Sequence, residues 1–274
     1  MPIYEAIILG ITQGLSEFLP ISSTAHLRIV PAFAGWEDPG AAFTAVIQLG
    51  TLAAVLIYFR NELWNVARTW LLSLRRPELR SDPDARIGWY LIVATVPIVI
   101  FGKLFENPIE NGARDLYLIG IVMIVFGLIL YVADRVGSQD RDERSMSTRD
   151  GVIIGVAQSA ALVPGVSRSG ATISAGRFLG LEREAAARFS FLLSVPAVVL
   201  SGVYELSKIV RGTESTDAGA AALIVSTVMA FIFGYASIAF LLRYLATHTV
   251  TVFTVYRVIL GSLVIALVAA GTIS

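Results

Sequence analysis

Residues 3–31, IYEAIILGITQGLSEFLPISSTAHLRIVP, are apolar at both ends and broken in the middle by Glu17, Pro20, the Ser22-Ser23-Thr24 run and His26. Residues 151–180, GVIIGVAQSAALVPGVSRSGATISAGRFLG, are broken in the same way by Gln158, Pro164, Gly165 and Ser167-Arg168-Ser169. A helix crossing a hydrocarbon core takes roughly 20 mostly apolar residues, and neither stretch supplies them without interruption. Each reads as two short helices around a polar kink. Backbone that leaves the helix at membrane depth survives only where it is buried in protein or lines a wet cavity. Both segments are therefore expected to be re-entrant helical hairpins.

The rest of the chain supports a membrane setting. Of its 274 residues, 55% are apolar and 15% charged, with a mean hydropathy of +0.73, whereas soluble domains carry about a quarter charged residues. The apolar residues lie in long runs rather than in stripes. Six runs qualify or nearly qualify as spans: 41–59, 87–102, 116–133, 189–206, 218–242 and 250–273. The predicted fold is an all-α integral membrane protein, six transmembrane helices plus two re-entrant hairpins, in one membrane domain over 1–274.

The two hairpins resemble each other. Ile8-Leu9-Gly10-Ile11-Thr12-Gln13 lines up with Ile153-Ile154-Gly155-Val156-Ala157-Gln158, and Pro20 precedes Ser23 by the spacing at which Pro164 precedes Ser167. Phe43 and Phe189 open spans at a similar shift, about 145 residues. Repeat one then covers about 1–133 and repeat two about 151–274. The charged run 134–150, DRVGSQDRDERSMSTRD, reads as a solvated connector between them. The loop 60–86 holds Arg60, Arg68, Arg75, Arg76, Arg80 and Arg86, the loop 134–150 holds Arg135, Arg141, Arg144 and Arg149, and the loop 103–115 only Lys103 and Arg114. By the positive-inside tendency the first two loops are cytoplasmic and the third external. The hairpins then enter from opposite leaflets, an inverted-repeat design whose site lies near the midplane.

Three charged residues stand in hydrophobic surroundings: Glu17, Arg168 and Arg257. Unpaired, they would together cost on the order of 8–10 kcal/mol, so each must be paired, hydrated or ligand-bound; for Arg257 a structural role weighs as much as a functional one. Glu17 follows Gln13 by four residues, which puts both on one helix face. In Pro20-Ile21-Ser22-Ser23-Thr24-Ala25-His26, one hydroxyl serves as a helix cap. The others, with His26 one turn on, suit a nucleophile and an acid/base partner. In Pro164-Gly165-Val166-Ser167-Arg168-Ser169-Gly170-Ala171-Thr172, glycines admit close backbone approach, and Ser167, Ser169 and Thr172 offer hydroxyls. Arg168 offers a planar donor fork matched to phosphate, and a helix starting near Ser169 would add its free N–H groups. Together these residues fit phosphoryl transfer. Glu17, helped by Gln13, is the candidate holder of Mg²⁺ or Ca²⁺, with phosphate oxygens completing the coordination, while Arg168 stabilises the transferring group.

Other chemistry is excluded or disfavoured. There is no cysteine, hence no disulfide, thiolate metal site or cysteine nucleophile. The 21 basic and 21 acidic residues balance, so no overall field points to nucleic acid. No phosphate-binding P-loop motif occurs. The type-2 phosphatidate phosphatase pattern needs two histidines at the site, and the second here, His248, reads as an interfacial loop residue. The N-terminal MPIYEAIILG has no basic region and is not expected to be a removable signal.

Residues 13–26 and 164–172, with FTAVIQLG at 43–50, FSFLLSVP at 189–196 and Tyr256-Arg257, resemble the undecaprenyl-diphosphate phosphatases of the bacitracin-resistance type. The resemblance runs over nearly the whole chain. It implies hydrolysis of a polyprenyl diphosphate to the monophosphate and phosphate, recycling the carrier lipid for peptidoglycan and other envelope polysaccharide, and bacitracin resistance. It also implies a multi-pass plasma-membrane protein, embedded in the bilayer as a possible homodimer, with a site open to the extracytoplasmic side. Gln13 and Glu17 match the (Glu/Gln)-x-x-x-Glu motif, although many members carry glutamate at the first position and glycine in place of Ala25. Ser23, His26, Ser167, Arg168 and Thr172 match the remaining positions, with Ser22 and Ser169 as further phosphate contacts. Ser23 is the expected nucleophile and His26 its acid/base or positioning partner; water or His26 as attacking group stays open. The competing reading is a lipid flippase or anion carrier built on the same inverted-repeat site.

Overall fold

Pro20 and Pro164 terminate helices because the residue before a proline is pushed out of the α region: Leu19 and Val163 are both extended, at φ −66°, ψ 142° and φ −86°, ψ 119°. The computed structural model describes residues 1–105, 115–210 and 218–273, without the side chains of 203 and 205–210. Arg114 and most of the loop 103–115 lie outside the described residues. Upstream of the first kink is α1, Ile3–Phe18; downstream is α2, Ser23–Ala34. Then come α3, Gly40–Tyr58, α4, Arg60–Ser73, α5, Pro83–Leu104, and α6, Leu116–Val136. The second kink separates α7, Thr148–Ser159, from α8, Arg168–Phe178. The chain ends with α9, Arg183–Val210, α10, Ala220–Leu245, and α11, Thr251–Ala269. Among the described residues there is no strand, only a single bridge between Arg141 and Leu181.

Among the described residues, six helices are long and apolar enough to cross a membrane: α3, α5, α6, α9, α10 and α11. They coincide with the six predicted runs but start or stop elsewhere. The run 87–102 grows to a 22-residue helix because Asp82 caps Asp84 N–H and Pro83 occupies the first helical position. Its first turn carries Asp84 and Arg86, which a hydropathy reading discards.

Two charged stretches are more ordered than expected. The first half of the loop 60–86 is α4, whose Val66 and Ser73 face inward while Trp64 and Leu71 are exposed. Trp70 of α4 packs edge-on to Trp89 of α5 at 5.6 Å between ring centroids. The run 134–150 is exposed over most of its length, as a solvated connector would be, but it is anchored at a few points into a strap. Asp134, Met146 and Asp150 are buried. Asp134 accepts from Arg177 Nε at 3.0 Å and Arg183 Nε at 2.7 Å, and Arg141 binds Asp150 at 2.8 Å and the Leu179 carbonyl at 2.7 Å. Mixed charges suggest solvation, but here they pair across elements distant in sequence.

Close helix contacts run through glycine, as expected where lipid offers no hydrophobic drive between helices. On α1, a β-carbon at Gly10 would strike the Ser226 carbonyl of α10. On α7, one at Gly155 would lie 2.5 Å from the Ala94 carbonyl oxygen of α5. Gly10 and Gly155 are the residues aligned by the sequence repeat. The main apolar core joins Phe18 at the end of α1 to Phe191 of α9, edge to face at 5.3 Å, and so brings the last turn of α1 beside α9.

Candidate active site

Glu17 is on the buried face of α1, one turn after Gln13. Its Oε2 accepts from Gln13 Nε2 at 3.1 Å and from Ser23 Oγ at 2.6 Å, the latter across the first kink. Its Oε1 accepts from Arg168 Nη2 of the second kink at 3.1 Å. Arg168 is held from the other side by the Ser190 carbonyl, 3.1 Å from Nη1. The two broken segments therefore meet at an acid, a hydroxyl and a guanidinium, all buried or nearly so.

The kinks are built alike. Ser22 caps α2 by accepting from Ala25 N–H at 3.4 Å, and Ser167 caps α8 by accepting from Gly170 N–H at 3.1 Å. Both have positive φ, 76° and 72°, the left-handed region that non-glycine residues rarely occupy. The proline spacing paired Ser23 with Ser167, whereas the caps pair Ser22 with Ser167. Cross-links join the kinks: Gly165 N–H donates to Ser22 Oγ at 3.2 Å, and Ser169 Oγ to the Leu19 carbonyl at 3.1 Å. Arg257, fully buried on α11, donates to Pro20 O at 3.0 Å, Val166 O at 3.0 Å, Gly165 O at 2.7 Å and Met123 O at 2.9 Å. Its role is that of a clamp on both turns.

A cavity of about 620 Å³ opens over this cluster. Glu17, Ser22, Ser23, Ser167 and Arg168 line it on the polar side, and residues such as Ile98, Val99, Ala197, Val198 and Leu200 give it apolar walls from α5 and α9. The N-termini of α2 and α8 both border it through Ser23 and Arg168, and free N–H groups at a helix start attract an oxyanion.

Gln13, His26, Ser169 and Thr172, also predicted from the sequence, do not line the cavity. Thr172 Oγ1 lies 2.7 Å from Ser190 Oγ and 2.9 Å from the Arg168 carbonyl oxygen, bracing α8 against α9. Ser169 ties α8 to the end of α1. His26 places Nδ1 2.7 Å from the Ser22 carbonyl oxygen and Nε2 2.6 Å from Tyr256 Oη. His248 is exposed and stacks on Tyr244 at 4.5 Å. Sequence reasoning missed Ser190, which holds both Arg168 and Thr172, and the cavity-lining Gln48, Lys103 and Tyr204. Ser190 lies inside FSFLLSVP, and that motif was its only signal.

The residues present fit a divalent cation only as a minority of its ligands. Among the described residues no group of three or more histidine, aspartate or glutamate side chains stands together. Both oxygens of Glu17 are engaged, and the neighbouring Gln13 Oε1 is buried without a hydrogen-bond partner. Substrate oxygens would have to supply the rest.

The family model described as bacitracin resistance protein BacA matches residues 6–263. The chain is 53% identical over 270 residues to an undecaprenyl-diphosphatase of Nocardioides sp., covering 98% of each protein. It is 52% identical over 274 residues to one of Thermobifida fusca, covering 100% of this chain and 93% of that protein. It is 49% identical over 278 residues to one of Chlorobium limicola, covering 99% and 98%. With a buried acid, a hydroxyl and an arginine joined across two kinks, and with matches of this extent, the chain belongs to the bacitracin resistance protein BacA family.

Proposed function

We propose that this protein hydrolyses undecaprenyl diphosphate, or a related polyprenyl diphosphate, to the monophosphate and inorganic phosphate. The observation that carries the reading is Ser23 Oγ at 2.6 Å from a carboxylate that is itself paired with Arg168, at the polar side of a cavity with apolar walls. The walls suit an isoprenoid chain, and the two helix N-termini and Arg168 suit its diphosphate. Ser23 oxygen attacks the terminal phosphorus as its proton passes to Glu17, and the bond from phosphorus to the bridging oxygen breaks, releasing polyprenyl monophosphate. Arg168 balances the charge on the transferring oxygens. Water then attacks the phosphoserine, and the serine oxygen leaves with the proton from Glu17. A Mg²⁺ or Ca²⁺ ion entering with the diphosphate, held on the protein side by Glu17 and Gln13, would supply further charge neutralisation.

The setting follows from the same reading. α1 and α2 have 16 and 12 residues and α7 and α8 have 12 and 11, none long enough to cross about 30 Å at 1.5 Å per residue. The matching caps at Ser22 and Ser167, and the matching glycine contacts of α1 with α10 and α7 with α5, support re-entrant hairpins in two inverted repeats. The positive-inside tendency supports a cytoplasmic side for the arginine-rich stretches 60–86 and 134–150, and Gly102 and Lys103 on the cavity, at the start of the arginine-poor loop 103–115, support a cavity that faces the outer leaflet of the plasma membrane. Dephosphorylation there returns the carrier lipid to envelope synthesis and accounts for bacitracin resistance. The test is phosphate release from C15 and C55 diphosphates by purified protein in detergent. Release that disappears in Ser23→Ala supports the reading. A flippase or anion carrier, the competing use of this site, releases none.

A further inference from the structure

His26 is the site residue whose ring points elsewhere. A carbonyl oxygen only accepts, so the 2.7 Å contact with the Ser22 carbonyl requires the proton on Nδ1. In the neutral ring Nε2 is then an acceptor, and the Tyr256 hydroxyl, 2.6 Å away on α11, donates to it. The two rings lie nearly parallel, 7° between planes with centroids 5.6 Å apart. The lone pair that a nucleophile or general base would use is occupied by tyrosine, and neither ring lines the cavity. The carbonyl gripped by Nδ1 belongs to Ser22, at φ 76°, where it also accepts from the His26 backbone N–H at 3.2 Å, so the ring adds a second hold; its peptide leads directly to Ser23. The tilt of that peptide sets where Ser23 Oγ points.

We propose that Tyr256 and His26 form a buttress that holds the Ser22–Ser23 peptide, so that Tyr256 is a positioning residue and His26 acts through the backbone rather than on the phosphate. This deepens the function proposed above and rests on Ser23 as the attacking group. The second kink reaches the same backbone conformation at Ser167 with Ala171 in the place of His26. The turn therefore forms without an imidazole, and His26→Ala is expected to fold.

The experiment measures kcat and KM for farnesyl diphosphate, with melting temperature as a folding check. The amide nitrogen of His26→Asn falls where Nδ1 stands and can still donate to Ser22, whereas that of His26→Gln falls where Nε2 stands and cannot. Loss of the grip in His26→Ala is expected to lower kcat about 10²-fold through misplacement of Ser23. His26→Asn should recover about tenfold of that loss, His26→Gln should not, and Tyr256→Phe should lower kcat about fivefold at nearly constant KM. A folded His26→Asn as inactive as His26→Ala, or an acid-labile, base-stable phosphoryl group trapped on His26, overturns the buttress. An unchanged kcat in Tyr256→Phe overturns the part given to tyrosine. Ser23→Ala, run in parallel, separates the failures: if it is inactive, a failed His26→Asn rescue removes only the buttress, and if it is active, both readings fall.

Discussion

Glu17 and Arg168, 151 residues apart in the chain, meet at 3.1 Å with side chains only 4% and 11% exposed. Taking two charges out of water is costly, and removing one partner leaves the other uncompensated, typically at about 3–5 kcal/mol. Glu17→Gln and Arg168→Ala should each lower the melting temperature in detergent. A double-mutant cycle should show that the two losses are not additive. Arg168→Lys keeps the charge but not the fork that reaches both Glu17 and Ser190, so phosphate release should fall about 10²–10³-fold while the protein stays folded. Arg168→Lys with wild-type turnover would remove the guanidinium from the site.

Arg257 binds four carbonyl oxygens, two of them in the second kink and one in the first. Arg257→Met strands those acceptors at about 1–3 kcal/mol for each one left unsatisfied. The variant is expected to lose both stability and phosphate release, with Arg257→Lys intermediate in both. A stable, active Arg257→Met would mean that the kinks hold their shape without the clamp.

Gln13 offers one partnerless oxygen beside a carboxylate already engaged on both sides. If a cation enters with the diphosphate, a chelator should abolish phosphate release and Mg²⁺ or Ca²⁺ should restore it. Gln13→Glu adds a hard anionic ligand, so half-maximal activity should then need about tenfold less cation. Turnover indifferent to chelator would leave Arg168 and the helix N-termini as the whole anion site.

Asp150 tests the strap. Burial alone would raise its carboxyl pKa, but the Arg141 guanidinium and the N–H and hydroxyl of Ser147 outweigh burial and hold it below the ordinary range. A carboxyl depressed on folding contributes stability above its unfolded pKa, about 3.9, and loses it as pH falls through the folded value. Asp150→Asn should therefore cost about 1–2 kcal/mol at pH 7, with the gap to wild type closing below about pH 4. Melting curves across that range measure it; a constant gap would assign the cost to packing.

The helix ends show what was legible and what was not. Asp82-Pro83, and Asp115, which caps α6 by accepting from Leu118 N–H at 2.8 Å, are visible start signals, yet hydropathy puts the α5 start at 87 because Asp84 and Arg86 offset their apolar neighbours. Hydropathy alone makes Arg60–Ser73 a loop for the same reason, although its buried Val66 and Ser73 are two turns apart on one face.

By itself the sequence determined the membrane setting, the six spans, the two proline-broken segments and the short list of polar residues at them. Each follows from local quantities: the length of an apolar run, the backbone limits around proline, the cost of a charge in lipid. Only the tertiary structure decided which of those residues face one another. Glu17 pairs with Arg168, and the His26 ring turns to Tyr256 instead of the cavity. The reason is rotational. A kink with one residue at positive φ resets the phase of the helix that follows, and no spacing within a segment reports that phase; it is set by contacts with α9 and α11, far away in the chain.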